Sequence, residues 1–186
     1  MSAAAPLPFW AADLLHLWFQ RLRPADWWQP SAALDDLLQR RYGEWLRALA
    51  TIAPARFCRH PAQALAAVLL FDQIPRNIHR GSAGAFATDP LARAICHLAL
   101  DKGFDRKLPG KRTQFLVMPL LHSEDIADQR LALTLFRQID NGSAFAFARA
   151  HHRMIARFGR FPHRNAVLGR SGSAAEREAI AAGFAW

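Results

Sequence analysis

From Ala64 to Phe71 the chain runs eight residues without a polar side chain, bracketed by Pro61 and Pro75. A helix that is apolar on every face must sit at the centre of a core, because it leaves no side for water. Pro61 suits the first position of such a helix, and Pro75 is expected to halt it. A run of eight apolar residues falls far short of the roughly 20 that a bilayer crossing requires. Directly behind it comes Asp72-Gln73-Ile74-Pro75-Arg76-Asn77-Ile78-His79-Arg80-Gly81, in which six of ten side chains are polar. The expectation is a polar turn presented beside the most buried element.

The rest of the chain is punctuated in the same way. Ala11 to Gln20 reads as a helix ended by Arg23-Pro24, with Trp27 and Trp28 folding back onto the core. Ser31 is placed to cap a second helix to about Thr51, with Leu34, Leu37, Leu38, Tyr42, Trp45, Leu46 and Leu49 on its buried face. Asp89-Pro90 is expected to cap a helix through Leu100 that Gly103 stops. Pro109 opens the next helix, which Pro119 breaks or kinks. Ser123 is expected to cap a helix to about Ile139, with Glu124 and Asp125 in its first turn. After an Asn141-Gly142 turn, Ser143 to Phe158 reads as a helix with Phe145, Ala148, His152, Ile155 and Phe158 along one face. Ser173 and Glu176 form a capping-box pattern before a last short helix.

No segment alternates with period two. The expected fold is all-α, with seven to eight helices in antiparallel helix-turn-helix pairs. At 186 residues and 52% hydrophobic, the chain suits a single helical domain over 1–186. The N-terminus has no basic segment leading into an apolar run, and a cytoplasmic location is expected. Cys58 and Cys96 are isolated in apolar surroundings and read as reduced core thiols.

The formal charge is +9, nearly all of it arginine. Between Asn141 and Ala175 there is no Asp or Glu, yet Arg149, Arg153, Arg157, Arg160, Arg164 and Arg170 fall there. A solvated helix face normally mixes signs, so this window points to anionic partners. Within it, Arg157-Phe158-Gly159-Arg160-Phe161-Pro162-His163-Arg164-Asn165 reads as a braced turn. Gly159 admits a left-handed residue, Pro162 holds Phe161 extended, and the phenylalanines anchor. Arg160, His163, Arg164 and Asn165 then stand on a rigid frame, and arginine forks match carboxylate and phosphate. The alternative use of these arginines is to cap helix ends and pair with Asp72, Glu124 or Asp125. No P-loop, Rossmann glycine pattern, H-E-x-x-H or G-x-S-x-G is present and no cofactor is expected; His122 and Glu124 with His163 or Asp72 have the chemistry of metal ligands, but none of their spacings is diagnostic, and no metal is expected. His122, Glu124 and His163 are the candidates for acid–base chemistry.

The strings FDQIPRNIHRG (Phe71 to Gly81), AFATD (Ala85 to Asp89), MPLLHSED (Met118 to Asp125) and RFGRFPHRNAVLGR (Arg157 to Arg170) resemble the bacterial family known as domain of unknown function 924. The likeness covers nearly the whole chain in the same order. It implies a helical fold similar to tetratricopeptide-repeat proteins and no established activity. Asp72, Gln73, Arg76, Asn77, His122, Ser123, Glu124, His151, Arg160, His163, Arg164 and Asn165 fit the family's pattern. His16, before Leu17-Trp18-Phe19, departs from it, standing where an acidic residue is more usual.

The first functional expectation is a pocket for a phosphate- or carboxylate-bearing small molecule, with Asp72, Gln73, Arg76, Asn77, His151, Arg160, Arg164 and Asn165 as ligand-binding candidates. It requires Arg76, Arg164 and Asn165 to lie within reach of one another. The second is a helical-repeat module binding an acidic peptide. RNA binding ranks last, because the phenylalanines of the basic stretch are taken up as anchors rather than left to stack on bases.

Overall fold

The computed structural model describes residues 6–140 and 142–183; Asn141, half of the expected turn, lies outside them. The described residues contain no strand and nine α-helical segments: α1 (Phe9–His16), α2 (Ala32–Leu49), α3 (Pro61–Val68), α4 (Ile74–Ile78), α5 (Asp89–Asp101), α6 (Gly110–His122), α7 (Ile126–Ile139), α8 (Ser143–Phe158) and α9 (Ala174–Ala181). A π-helical turn, Leu69–Gln73, joins α3 and α4 into one rod, which reduces these to eight helices. None of them is long and apolar enough to cross a membrane.

The apolar run lies where its composition requires. Every side chain from Ala64 to Phe71 is fully buried, and α3 is held by α1, α5 and α6. Chain neighbours α6, α7 and α8 pack on one another in sequence, and α2 lies against α4. A smaller apolar cluster of Met154, Ile155, Phe161 and Ala179 ties α8 to the turn after it and to α9.

Pro75 does not halt the helix. The rod passes through it and ends at Ile78. Proline removes one N–H and leaves the carbonyl four residues back without its helical partner. That carbonyl belongs to Phe71, and the Thr88 hydroxyl donates to it at 2.6 Å. The π turn at this point widens the helix by one residue, and such turns are frequent where a helix carries functional groups. The polar segment after the apolar run is therefore helical and rigid rather than a loop.

Other starts differ from expectation for one common reason, that the expected capping side chain is used elsewhere. α5 begins with Thr88 at its N-cap position, and the Asp89 carboxylate turns to Arg76. α7 is capped by Asp125, which accepts from the Ala127 N–H at 2.8 Å; Ser123 and Glu124 lie before the helix. α6 stays helical through Pro119. On α8 the buried face carries His151, not His152. On α2, Trp45 stands at the margin of the apolar stripe and is exposed.

Candidate functional site

Three separate segments converge at the end of the α3–α4 rod. Asp72 is fully buried on the π turn. His122, the last residue of α6, brings Nδ1 to 2.8 and 3.0 Å from its two carboxylate oxygens. Gln73 donates to the same carboxylate at 2.5 Å. Arg76, one helical turn on, lies 3.3 Å from it and also donates to the Asp72 carbonyl. Arg76 then forks onto Asp89 at 2.9 and 3.0 Å.

The turn after α8 supplies Arg164 and His163. Gly159 closes α8 at a φ of 69°, the left-handed conformation only glycine adopts without strain. Phe161 follows in an extended conformation, fully buried, and Pro162–Arg164 form a short 3-10 turn. The Phe161 N–H donates to Glu124 at 2.8 Å, and Arg170 forks onto the same carboxylate at 2.7 and 3.0 Å. This frame delivers the Arg164 guanidinium between two phenylalanine rings, 4.5 Å from the centroids of Phe86 and of Phe161. Its side chain is only 8% exposed, yet among the described residues it makes no hydrogen bond, only a 3.5 Å ion contact with Asp89, and its Nε is a buried donor without an acceptor.

These groups line one cleft of about 740 Å³. Its polar floor carries Gln73, Arg76, Asn77, His122, His151, His163 and Arg164. The lining also includes the aromatic side chains Trp27, Trp28, Phe86 and Phe147, with Arg80, Lys111 and Gln114. Trp28 stacks parallel on buried Phe115, with ring centroids 5.9 Å apart, and remains 50% exposed. The Trp27 indole N–H donates to the Trp18 carbonyl at 3.0 Å, which fixes the aromatic loop.

The electrostatics divide the floor into charged and neutral parts. Burial opposes ionisation of Asp72, but Arg76 and His122 outweigh it and hold the carboxyl well below the usual range. Burial lowers the His122 pKa, and Arg76 lowers it further against Asp72. Burial, with His122 adding to it, pushes His151 well down. Burial and then Arg164 push His163 down to about 4. Near neutral pH all three imidazoles are therefore uncharged. His151 keeps Nδ1 on the Phe147 carbonyl at 3.0 Å; a carbonyl only accepts, so that nitrogen carries the proton. Burial, then Arg76, lowers Arg164 to about 10.

The structure sorts the sequence candidates. Gln73, Arg76, Asn77, His122, His151, His163 and Arg164 line the cleft. Asp72 stands behind its floor. Arg76 and Arg164 meet on Asp89, but Asn165 is turned to Glu176 at 3.3 Å and does not line the cleft, so the expected trio is not met and the pocket reading narrows to the two arginines. Arg160 forks onto the same Glu176 at 2.7 and 3.1 Å, and Glu124 is taken up by Arg170 and Phe161. Three of the window's six arginines, Arg160, Arg164 and Arg170, are thus met by carboxylates from outside it, Glu176, Asp89 and Glu124. The pocket is backed by more carboxylate than the window suggested. Sequence reasoning assigned Trp27 and Trp28 to the core and overlooked Phe86, Lys111 and Phe147 as lining. The only sequence signal for the aromatic wall was the Trp pair between Pro24 and Pro30. Among the described residues no group of three or more His, Cys, Asp or Glu could hold a metal ion.

Residues 14–183 match the family described as bacterial protein of unknown function (DUF924). A solved structure of a protein of unknown function from Agrobacterium tumefaciens is similar at a TM-score of 0.86 and 35% identity, over 91% of this chain and 96% of that one. No curated protein matches the chain.

Proposed function

The chain belongs to the bacterial family of unknown function DUF924, and we propose that it binds a small anionic molecule, carboxylate or phosphate bearing, in the cleft between α4, α6, α8 and the Trp27-Trp28 loop. The observation that carries this reading is Arg164. A guanidinium this deeply buried normally has its donors matched, because an unmatched buried charge is costly. Among the described residues the Arg164 side chain has no hydrogen bond, and it lines the cleft.

The lining supports the same sign of charge. It includes Arg76, Arg80, Lys111 and Arg164 and no carboxylate side chain. Two of these cations are committed: Arg76 forks onto Asp89, and Arg80 forks onto Asp35 at 3.0 and 3.0 Å. Lys111 donates to the neutral Gln114 at 3.2 Å. Arg164 is thus the lining cation with donors left to offer, and Lys111, near enough to help lower the Asp140 pKa, makes no ion pair among the described residues. The aromatic side chains in the same lining, Trp27, Trp28, Phe86 and Phe147, suit an apolar body attached to the anionic group.

The test is a thermal-shift series with inorganic phosphate, phenyl phosphate, glutarate and phenylacetate. A ligand at a hundred times its Kd stabilises by about 2.7 kcal/mol, which for a chain of this size raises Tm by about 5–10 °C. The shift should vanish in Arg164→Gln and persist in Arg160→Gln, whose guanidinium is held by Glu176 away from the cleft. Equal shifts in both variants, or none with any of the four compounds on the wild type, would refute the reading.

A further inference from the structure

Binding an anion gives no reason to place a buried carboxylate behind a neutral histidine. The Asp72 carboxylate can only accept, so the bond to His122 puts the proton on Nδ1 and leaves the lone pair on Nε2. Nδ1 faces a fully buried group, so Nε2 is on the cleft side of the ring. It makes no hydrogen bond within the described residues. The carboxylate is itself held by Gln73 and Arg76, so the imidazole cannot easily rotate or exchange tautomers. An oriented, neutral imidazole with a free Nε2 is what a general base requires. Arg164, whose Nε has no acceptor among the described residues, lines the same cleft.

We propose that the cleft is a hydrolase active site in which His122 Nε2 is the general base, Asp72 the residue that positions it, and Arg164 the donor to the developing oxyanion, acting on an ester that also carries an acidic group. The substrate class rests on the anion-binding reading above. The step balances as follows. Water adds through its oxygen to the ester carbonyl carbon, and its proton passes to His122 Nε2. The carbonyl electron pair moves onto oxygen, where Arg164 donates to it. The pair then returns, the ester C–O bond breaks, and the leaving oxygen takes the proton from Nε2. The products are a carboxylic acid and an alcohol, the imidazole is neutral again, and the acid then releases its proton to solvent. Lys111, without a carboxylate partner in the lining, takes the remote acidic group.

The test uses the full chain and two esters of similar length, mono-p-nitrophenyl glutarate and p-nitrophenyl butyrate, with release of p-nitrophenol followed by absorbance. The wild type should hydrolyse the glutarate ester faster than the butyrate ester. His122→Gln should lower kcat by about a hundredfold or more while KM stays within about twofold. Asp72→Asn should lower kcat with the same unchanged KM, a split that a purely architectural role would not produce. Circular dichroism checks that the variants fold. Should either fail to fold, the wild type treated with diethyl pyrocarbonate replaces it: carbethoxylation of His122, mapped by mass spectrometry, should abolish hydrolysis, and glutarate should protect.

The proposal is overturned if the wild type hydrolyses neither ester faster than His122→Gln, or if carbethoxylated His122 leaves the rate unchanged. The two readings fail separately. Glutarate that binds in the thermal-shift series without hydrolysis of its ester removes the base and leaves the binding site. Hydrolysis that depends on His122 but treats both esters alike, with KM for the glutarate ester unaffected in Lys111→Gln, removes the anion and leaves the base.

Discussion

Arg76 and Arg164 share the carboxylate of Asp89 unequally. Arg76 takes both oxygens at 2.9 and 3.0 Å, whereas Arg164 reaches one of them only at 3.5 Å, without a hydrogen bond. Arg76 also neutralises Asp72, and those two carboxylates outweigh burial and raise its pKa. The first arginine belongs to the architecture and the second to the cleft.

The two should respond oppositely to removal of charge. Arg76→Met leaves Asp72 and Asp89 facing a buried gap and should cost about 3–5 kcal/mol. Arg164→Met removes a buried cation that has no hydrogen bond among the described residues, while Asp89 keeps its fork with Arg76. Its stability should stay within about 1 kcal/mol of wild type or rise. Urea unfolding midpoints at constant m-value measure both; equal losses would contradict the division.

Acidification should destabilise the fold before carboxylates begin to protonate. His163 is pushed down to about 4, so below its unfolded pKa near 6.5 the unfolded chain takes a proton that the folded chain refuses. A depressed folded pKa contributes stability above the unfolded value and loses it as pH falls toward the folded one. Between pH 7 and 5 this group alone should remove about 2 kcal/mol, with His122 and His151 adding in the same direction. His163→Gln should flatten that part of the slope. Unfolding free energies at pH 7, 6 and 5 give the comparison.

Thr88→Val should destabilise by about 1–2 kcal/mol. The hydroxyl donates to the Phe71 carbonyl that Pro75 cannot serve, and valine fills the same space without a donor. Chemical denaturation reads the loss, and a neutral result would mean that the carbonyl finds another donor.

Glu176 holds Arg160, Asn165 and its own N-cap Ser173, and it is the link between the turn after α8 and α9. Glu176→Ala should loosen α9 locally, exposing the segment 171–183 to limited proteolysis before the rest of the fold opens. Cleavage at wild-type rates in that segment would show that the apolar contact through Ala179 holds α9 without it.

Much of the fold was legible because it rests on local rules. The periodicity of Leu34, Leu38, Tyr42 and Leu46, the apolar run Ala64 to Phe71, Gly159 after α8 and the Ser173–Glu176 box each act within one or two helical turns. The exceptions share a cause. Asp89 and Ser123 have capping chemistry, but Asp89 lies beside Arg76, thirteen residues back in the chain, and a buried ion pair outweighs a cap. Pro75 stops a helix unless some other donor meets the freed carbonyl, and Thr88 comes from a different element.

The candidate site divides in the same way. The residue types alone determined an all-helical chain with an apolar central rod, a polar segment bound to its end and a braced basic turn. They could not determine which arginines remain available, because an arginine is used up by whichever carboxylate lies within about 4 Å of it, wherever that carboxylate stands in the chain. Tertiary structure assigned Asp89 mainly to Arg76, Glu176 to Arg160 and Glu124 to Arg170. It left Arg164 between two rings with donors to spare, and it set His122 against Asp72 across fifty residues of sequence.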